Sequence, residues 1–115
     1  MELTTVGVLG CGTMGSGIAI VCANAGLRTV VREVTEGRLR SGLAAIEAFY
    51  AEGVRRGKTT ADEARTRRER LTGTTDLAAF HECEVVVESR RDVVALISFW
   101  PLEAERRYRA GVWRG

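Results

Sequence analysis

The sequence predicts an α/β domain built on a parallel sheet. Short β-branched runs alternate with longer stretches of helical periodicity, a cluster of glycines follows the first run directly, and the runs VVRE and EVVVE have apolar centres, as strands buried on both faces do.

With 115 residues, 45% of them apolar and 28% charged, the chain has material for one domain with its own core. That composition excludes a disordered chain, and folding calls for no metal or disulfide framework. Apolar runs such as residues 18–23 and 43–46 fall far below the roughly 18 residues of a membrane span. The opening MELTTV has no basic region ahead of an apolar stretch, so the expectation is a cytoplasmic protein without a secretion signal. Cys11, Cys22 and Cys83 are odd in number and lack metal-ligand spacing; they read as small buried thiols, and no metal site is expected.

The elements follow in order. Residues 5–9 lead into glycines as a strand ending in a tight turn. From Thr13, the residues Met14, Ile18, Val21, Cys22 and Ala25 recur at three- and four-residue steps, which predicts a helix with that stripe inward and Gly26 as its stop. Residues 28–33 form a second strand, completing a βαβ unit. Thr35 caps a second helix with an apolar stripe of Leu39, Leu43, Ile46 and Tyr50, broken by Gly53 and Gly57. The run TADE from Thr60 has the form of a capping box, so a third helix starts there and runs to about Arg70. Residues 71–75 form a short strand, Asp76 caps a single turn through Phe80, and residues 84–88 form a fourth strand. Beyond Asp92 the texture changes to an apolar patch, the single proline Pro101 and an arginine-rich tail, where a helix after Pro101 is the one element expected.

The chemistry concentrates in the first turn. Gly10, Gly12 and Gly15 stand in G-x-G-x-x-G order between a strand and a helix, and Glu33 lies 18 positions after Gly15. This is the context a dinucleotide-binding turn requires, with an acid about 20 residues on. Gly10 permits the tight turn, Gly12 leaves room for a pyrophosphate, and Gly15 lets the helix pack closely on the sheet. The helix N-terminus then offers unpaired N–H groups and a positive dipole end to the phosphates. A carboxylate at Glu33 can accept the adenosine ribose hydroxyls and repels a 2′-phosphate, which favours NAD over NADP, although Arg32 beside it weakens that preference. The expected architecture is a Rossmann-like parallel sheet of order 3-2-1-4 with helices on both faces.

The string VGVLGCGTMGSGIA followed by VVRE resembles the opening of the 3-hydroxyacyl-CoA dehydrogenases, including bacterial 3-hydroxybutyryl-CoA dehydrogenases. GLAAIEAF, RRGKTTADEA, RLTGTTDLAAF and EVVVES are similar to the family in the same order, over about residues 5–92. The resemblance implies an NAD-binding domain that helps oxidise the 3-hydroxyl of an acyl-CoA in fatty acid metabolism. It implies cofactor contacts at Gly10, Gly12, Thr13, Met14, Gly15, Glu33 and Glu88, the last matching the first acid of an E-A-x-x-E pattern whose second acid lies beside the nicotinamide and substrate in the family. In that family the two helices after the second strand form an arm near the CoA moiety, so Arg55, Arg56 and Lys58 could meet phosphates, although basic residues at a helix end are commonly just solvated.

The departures are equally specific. This chain follows Glu88 with Ser-Arg-Arg-Asp, so Asp92 stands in only roughly for the second acid, and the likeness fades there. The expected division is therefore residues 1–92 as a partial NAD-binding domain and 93–115 as a divergent tail. The family's catalytic histidine and its partners fall outside the matched region, so no catalytic residue is assigned and the chain is expected to be a truncated relative. The alternative is a non-catalytic NAD-binding module. His81 lies in the FHEC connection and reads as a loop histidine, and Cys11 as a small residue filling the glycine turn. The arginines at 65, 67, 68 and 70 and at 106, 107 and 109 are interspersed with acids at a net charge of +2 and read as solvated helix faces, not a nucleic-acid surface. A sheet ending at the fourth strand would leave EVVVE as an apolar edge, to be covered by the tail, by a partner chain or by a second copy.

Overall fold

The computed structural model describes residues 4–89 and 94–97. Its elements are β1 (Thr5–Leu9), α1 (Thr13–Asn24), β2 (Arg28–Arg32), α2 (Glu36–Arg55), α3 (Ala61–Glu69), β3 (Leu71–Thr74), a 3-10 helix (Leu77–Glu82), β4 (Val85–Ser89) and β5 (Val94–Ile97). The sheet order is β3-β2-β1-β4-β5. The first four strands are mutually parallel, in the predicted order 3-2-1-4, and β5 joins β4 antiparallel. The apolar edge that EVVVE would have formed is thus paired within the chain, Val86 opposite Ile97 and Glu88 opposite Ala95. The helix expected after Pro101 lies outside the described residues.

Alternation along the strands divides the core into two layers. Val8 and Val31 face the α-helices, where they pack with Ala19, Ile20, Ile46 and Tyr50. Leu9, Val30 and Val86 point the other way, onto Leu77 and Phe80 of the 3-10 helix. Among the described residues both faces therefore carry helix, three α-helices on one and a 3-10 helix on the other. No helix among the described residues is long and apolar enough to cross a membrane.

The phase of α1 differs from its apolar periodicity. Its buried residues are Gly15, Ser16, Ala19, Ile20 and Ala23, while Met14 is 43% and Val21 67% exposed. The face of the helix against the sheet consists mostly of small side chains, joined by Ile20, and Met14 and Val21 are turned outward. Cys22 is consequently only half-buried, unlike Cys11 and Cys83, which are buried as expected.

The stripe expected on α2 is present, with Leu39, Ile46 and Tyr50 buried. The helix runs through Gly53, however, and turns only at Gly57, whose φ of +72° is in the left-handed region. A single interior glycine costs about 1 kcal/mol, which docking of the helix offsets. The turn closes with the Lys58 N–H donating to Gly53 O at 2.9 Å and the Gly57 N–H to Val54 O at 3.0 Å. Thr60 forms the predicted capping box: its hydroxyl accepts the Glu63 N–H and the Glu63 carboxylate accepts the Thr60 N–H, both at 3.1 Å.

The arginines of α3 are more than a solvated face. Arg68 pairs with Glu47 of α2 and donates to Leu71 O at 3.0 Å. Arg70 donates to Ala23 O near the end of α1 at 2.7 Å. Half-buried and committed to carbonyls, these two clamp α3 to its neighbours; Arg65 keeps the solvated role with an ion pair to Asp62.

Candidate functional site

The C-terminal ends of the parallel strands meet around the glycine turn. Leu9, the last residue of the central β1, pairs with Arg32 on one side and Glu88 on the other. Past Leu9 the chain reverses at Gly10, with φ +98° and its N–H donating to Arg32 O at 2.8 Å. A side chain at Gly15 would run into the Gly10 carbonyl, so that glycine allows the first turn of α1 to close against the loop.

Gly12 is the N-cap of α1 in an extended conformation with no side-chain cap, and no acidic residue occupies the first turn. Gly12, Thr13 and Met14 are exposed, and a Cβ placed on Gly12 would meet nothing within 4 Å. The site therefore presents a bare helix N-terminus, with its unpaired N–H groups and positive dipole end, to an open approach.

Glu33, half-buried just past β2, is bonded into this turn. Its Oε2 accepts the Cys11 N–H at 3.0 Å and its Oε1 accepts the Val34 N–H at 2.8 Å. Each oxygen retains a lone pair for a further donor. The neighbouring Arg32 directs its Nε to Thr75 O at 3.1 Å. Glu88 is 4% exposed and lies on the face of the sheet shared with Leu9 and Val86. The two acids thus flank the glycine turn from the strands on either side of β1.

Cys11 is fixed by contacts that its sequence position did not announce. Its carbonyl accepts Ser16 Oγ at 3.0 Å, and its side chain packs against Gly42 of α2, where an added Cβ would come within 2.7 Å of the Cys11 Cβ. Burial pushes its thiol pKa up, outweighing the Ser16 hydrogen bond. His81 is exposed on the 3-10 helix.

A trench of about 930 Å³ opens beside the turn between α1 and α2, with Gly12, Thr13, Glu33 and Arg38 near the turn and Val21 and Phe49 farther along the helices. A second hollow of about 520 Å³ lies beside the α2–α3 connection, lined by Phe49, Tyr50, Arg56, Lys58, Thr59 and Arg67 among others. Arg55 does not line it and instead pairs with Glu52. Sequence reasoning passed over Ser16, Arg38 and Gly42; only the repeated small residues of α1 and α2 signalled a close approach there.

Residues 5–96 match the 3-hydroxyacyl-CoA dehydrogenase, NAD binding domain. A 3-hydroxybutyryl-CoA dehydrogenase of Bradyrhizobium diazoefficiens is 39% identical over 85 residues, which is 73% of this chain and 29% of that protein. The crystal structure of Mycobacterium tuberculosis FadB2 aligns with a TM-score of 0.77 at 35% identity, over 81% of this chain and 33% of that one. That of Escherichia coli 3-hydroxybutyryl-CoA dehydrogenase aligns with a TM-score of 0.76 at 32% identity, over 81% of this chain and 20% of that one. The chain thus spans less than a third of the curated relative's length while matching the domain over most of its own. On that match, and on the parallel sheet and glycine turn it accompanies, the chain belongs to the 3-hydroxyacyl-CoA dehydrogenase family, in its NAD-binding domain.

Proposed function

We propose that this chain supplies the cofactor-binding part of an NAD-dependent 3-hydroxyacyl-CoA oxidoreductase that works on a short-chain substrate such as 3-hydroxybutyryl-CoA. The observation that carries the reading is the open Gly12 N-cap of α1 with Glu33 bonded alongside it. These residues fit a dinucleotide: the space that a Cβ at Gly12 would fill is free, and the first turn of α1 carries no acid to repel phosphate.

Gly10 and Gly15 shape the turn, Gly12, Thr13 and Met14 line the approach of the pyrophosphate, and Glu33 takes the adenosine ribose hydroxyls on its remaining lone pairs. Glu88, on the other side of β1 from Glu33, is the acid that would lie toward the nicotinamide end. When bound, NAD supplies the hydride acceptor. Oxidation of a secondary alcohol also needs a general base for the hydroxyl proton, and we place that group outside this chain. Arg56 and Lys58, with Arg67, supply positive charge around an aromatic-walled hollow, which suits the phosphates of a CoA thioester. Three free thiols accord with a reducing, cytoplasmic setting.

Calorimetric titration of the purified chain with NAD and NADP, with circular dichroism to establish folding, tests the cofactor assignment. NAD binding with NADP at least about tenfold weaker is expected from the Glu33 carboxylate. A folded chain that binds neither nucleotide would overturn it.

A further inference from the structure

The two peptides flanking Cys11 are each held by a side chain. The 10–11 peptide gives its N–H to Glu33 Oε2, and the 11–12 peptide accepts Ser16 Oγ–H, both at 3.0 Å. Gly10 and Gly12 on either side have no side chains with which to fix the loop themselves. The second Glu33 oxygen is anchored by the Val34 N–H, so the carboxylate bridges the backbone of the turn and the backbone following β2.

We infer that Glu33 is a positioning residue for the glycine turn: its carboxylate fixes the Cys11 peptide so that Gly12 and the first-turn N–H groups of α1 are aligned before a ligand arrives. This role is separate from a ribose contact, and only its consequence for affinity rests on the NAD reading proposed above. A carboxylate suits the task because it accepts two N–H groups at once. A carboxamide has one acceptor oxygen and would turn its NH2 toward one of those two donors. The bonds are also charge-assisted, which shortens and strengthens them.

The experiment compares the full chain with Glu33→Gln, using ADP and 2′,3′-dideoxy-ADP as probes together with amide hydrogen exchange in the ligand-free protein. Amides inside β1 and β2 serve as the control that the variant is folded. The positioning role predicts that exchange at Cys11 accelerates by about tenfold, the size of one charge-assisted hydrogen bond. It also predicts that 2′,3′-dideoxy-ADP, which has no ribose hydroxyls for Glu33, binds several-fold more weakly. A ribose contact alone would leave that probe unaffected, or improve it, since removing a negative charge favours an anion. Unchanged Cys11 exchange with unchanged dideoxy-ADP affinity would overturn the inference. If exchange accelerates but the wild-type chain binds neither probe, the positioning of the turn stands and the NAD reading falls. Ser16→Ala offers a second route by freeing the adjacent peptide with Glu33 intact. It should weaken 2′,3′-dideoxy-ADP in the same way, and unchanged affinity there would count against loop order as a source of binding.

Discussion

The carbonyl of Gly10 fills the space that a side chain on Gly15 would need, with the Gly10 carbonyl carbon only 2.9 Å from the position of an added Cβ. The equivalent space at Gly12 is open. Two glycines of one motif therefore differ in setting: one lets α1 pack against the turn, and the other leaves the approach to the helix N-terminus open.

Substitutions should separate them. Gly15→Ala forces α1 away from the loop and is expected to lower stability by about 1–3 kcal/mol, the usual cost of overpacking. Gly12→Val should stay within about 1 kcal/mol of the wild type, because its backbone is already extended and a Cβ there has no neighbour within 4 Å. It should nevertheless abolish NAD binding. Urea unfolding and NAD titration of both variants check this, and a destabilised Gly12→Val or an NAD-competent one would contradict the division of roles.

The motif, the strands and the capping box at Thr60 were legible because each is a local pattern, set by residues a few positions apart. The α1 stripe was not, because Met14 and Val21 satisfy helical periodicity yet are turned outward, away from a face made mostly of small side chains. Glu33 could be assigned to the site from its spacing, but its bond to the Cys11 amide depends on the conformation of a turn whose glycines admit many. The contact between Cys11 and Gly42 joins residues with no common periodicity, so nothing local in the sequence pointed to it. The pairing of β5 on β4 was legible only as a need, since an apolar strand such as EVVVE requires a neighbour without specifying which.

The contact at Gly42 makes its own prediction. An added methyl there would overlap the Cys11 carbonyl and side chain, so Gly42→Ala must shift either α2 or the turn. A loss of about 1–3 kcal/mol is expected, together with weaker NAD binding, because the displaced residue lies directly before Gly12. Unfolding and titration of the same sample read both effects. A loss of stability with unaltered NAD affinity would show that α2 moves and the turn does not.

Thr60→Ala supplies a contrast remote from the turn. It removes the hydroxyl that accepts the Glu63 N–H and with it half of the capping box, for a cost of about 1 kcal/mol. The loss should appear in urea unfolding with NAD affinity unchanged, since α3 contributes nothing to the lining of the trench beside Gly12. A matching fall in NAD affinity would mean that the arm and the turn are coupled.

Cys83 makes stability sensitive to alkali. Its thiol is buried beneath β1, 3.1 Å from where a Cβ on Gly7 would sit, and burial, with a smaller push from Glu82, raises its pKa from 9.0 to about 11. Between those values the unfolded chain releases the proton and the folded chain keeps it. The folded state then binds more protons than the unfolded one, so stability is undiminished below pH 9 and falls as pH rises toward 11. For one thiol the slope is at most about 1.4 kcal/mol per pH unit. Cys11 and Cys22, also raised by burial, act in the same direction, so the contribution of Cys83 must be read as a difference. Cys83→Ala loses some packing at every pH, but its stability should decline less steeply than that of the wild type across this window. Urea unfolding of both proteins at several pH values in that range checks it; parallel declines would mean that the Cys83 thiol titrates alike in the folded and unfolded chains, and that its burial beneath β1 does not hold the proton.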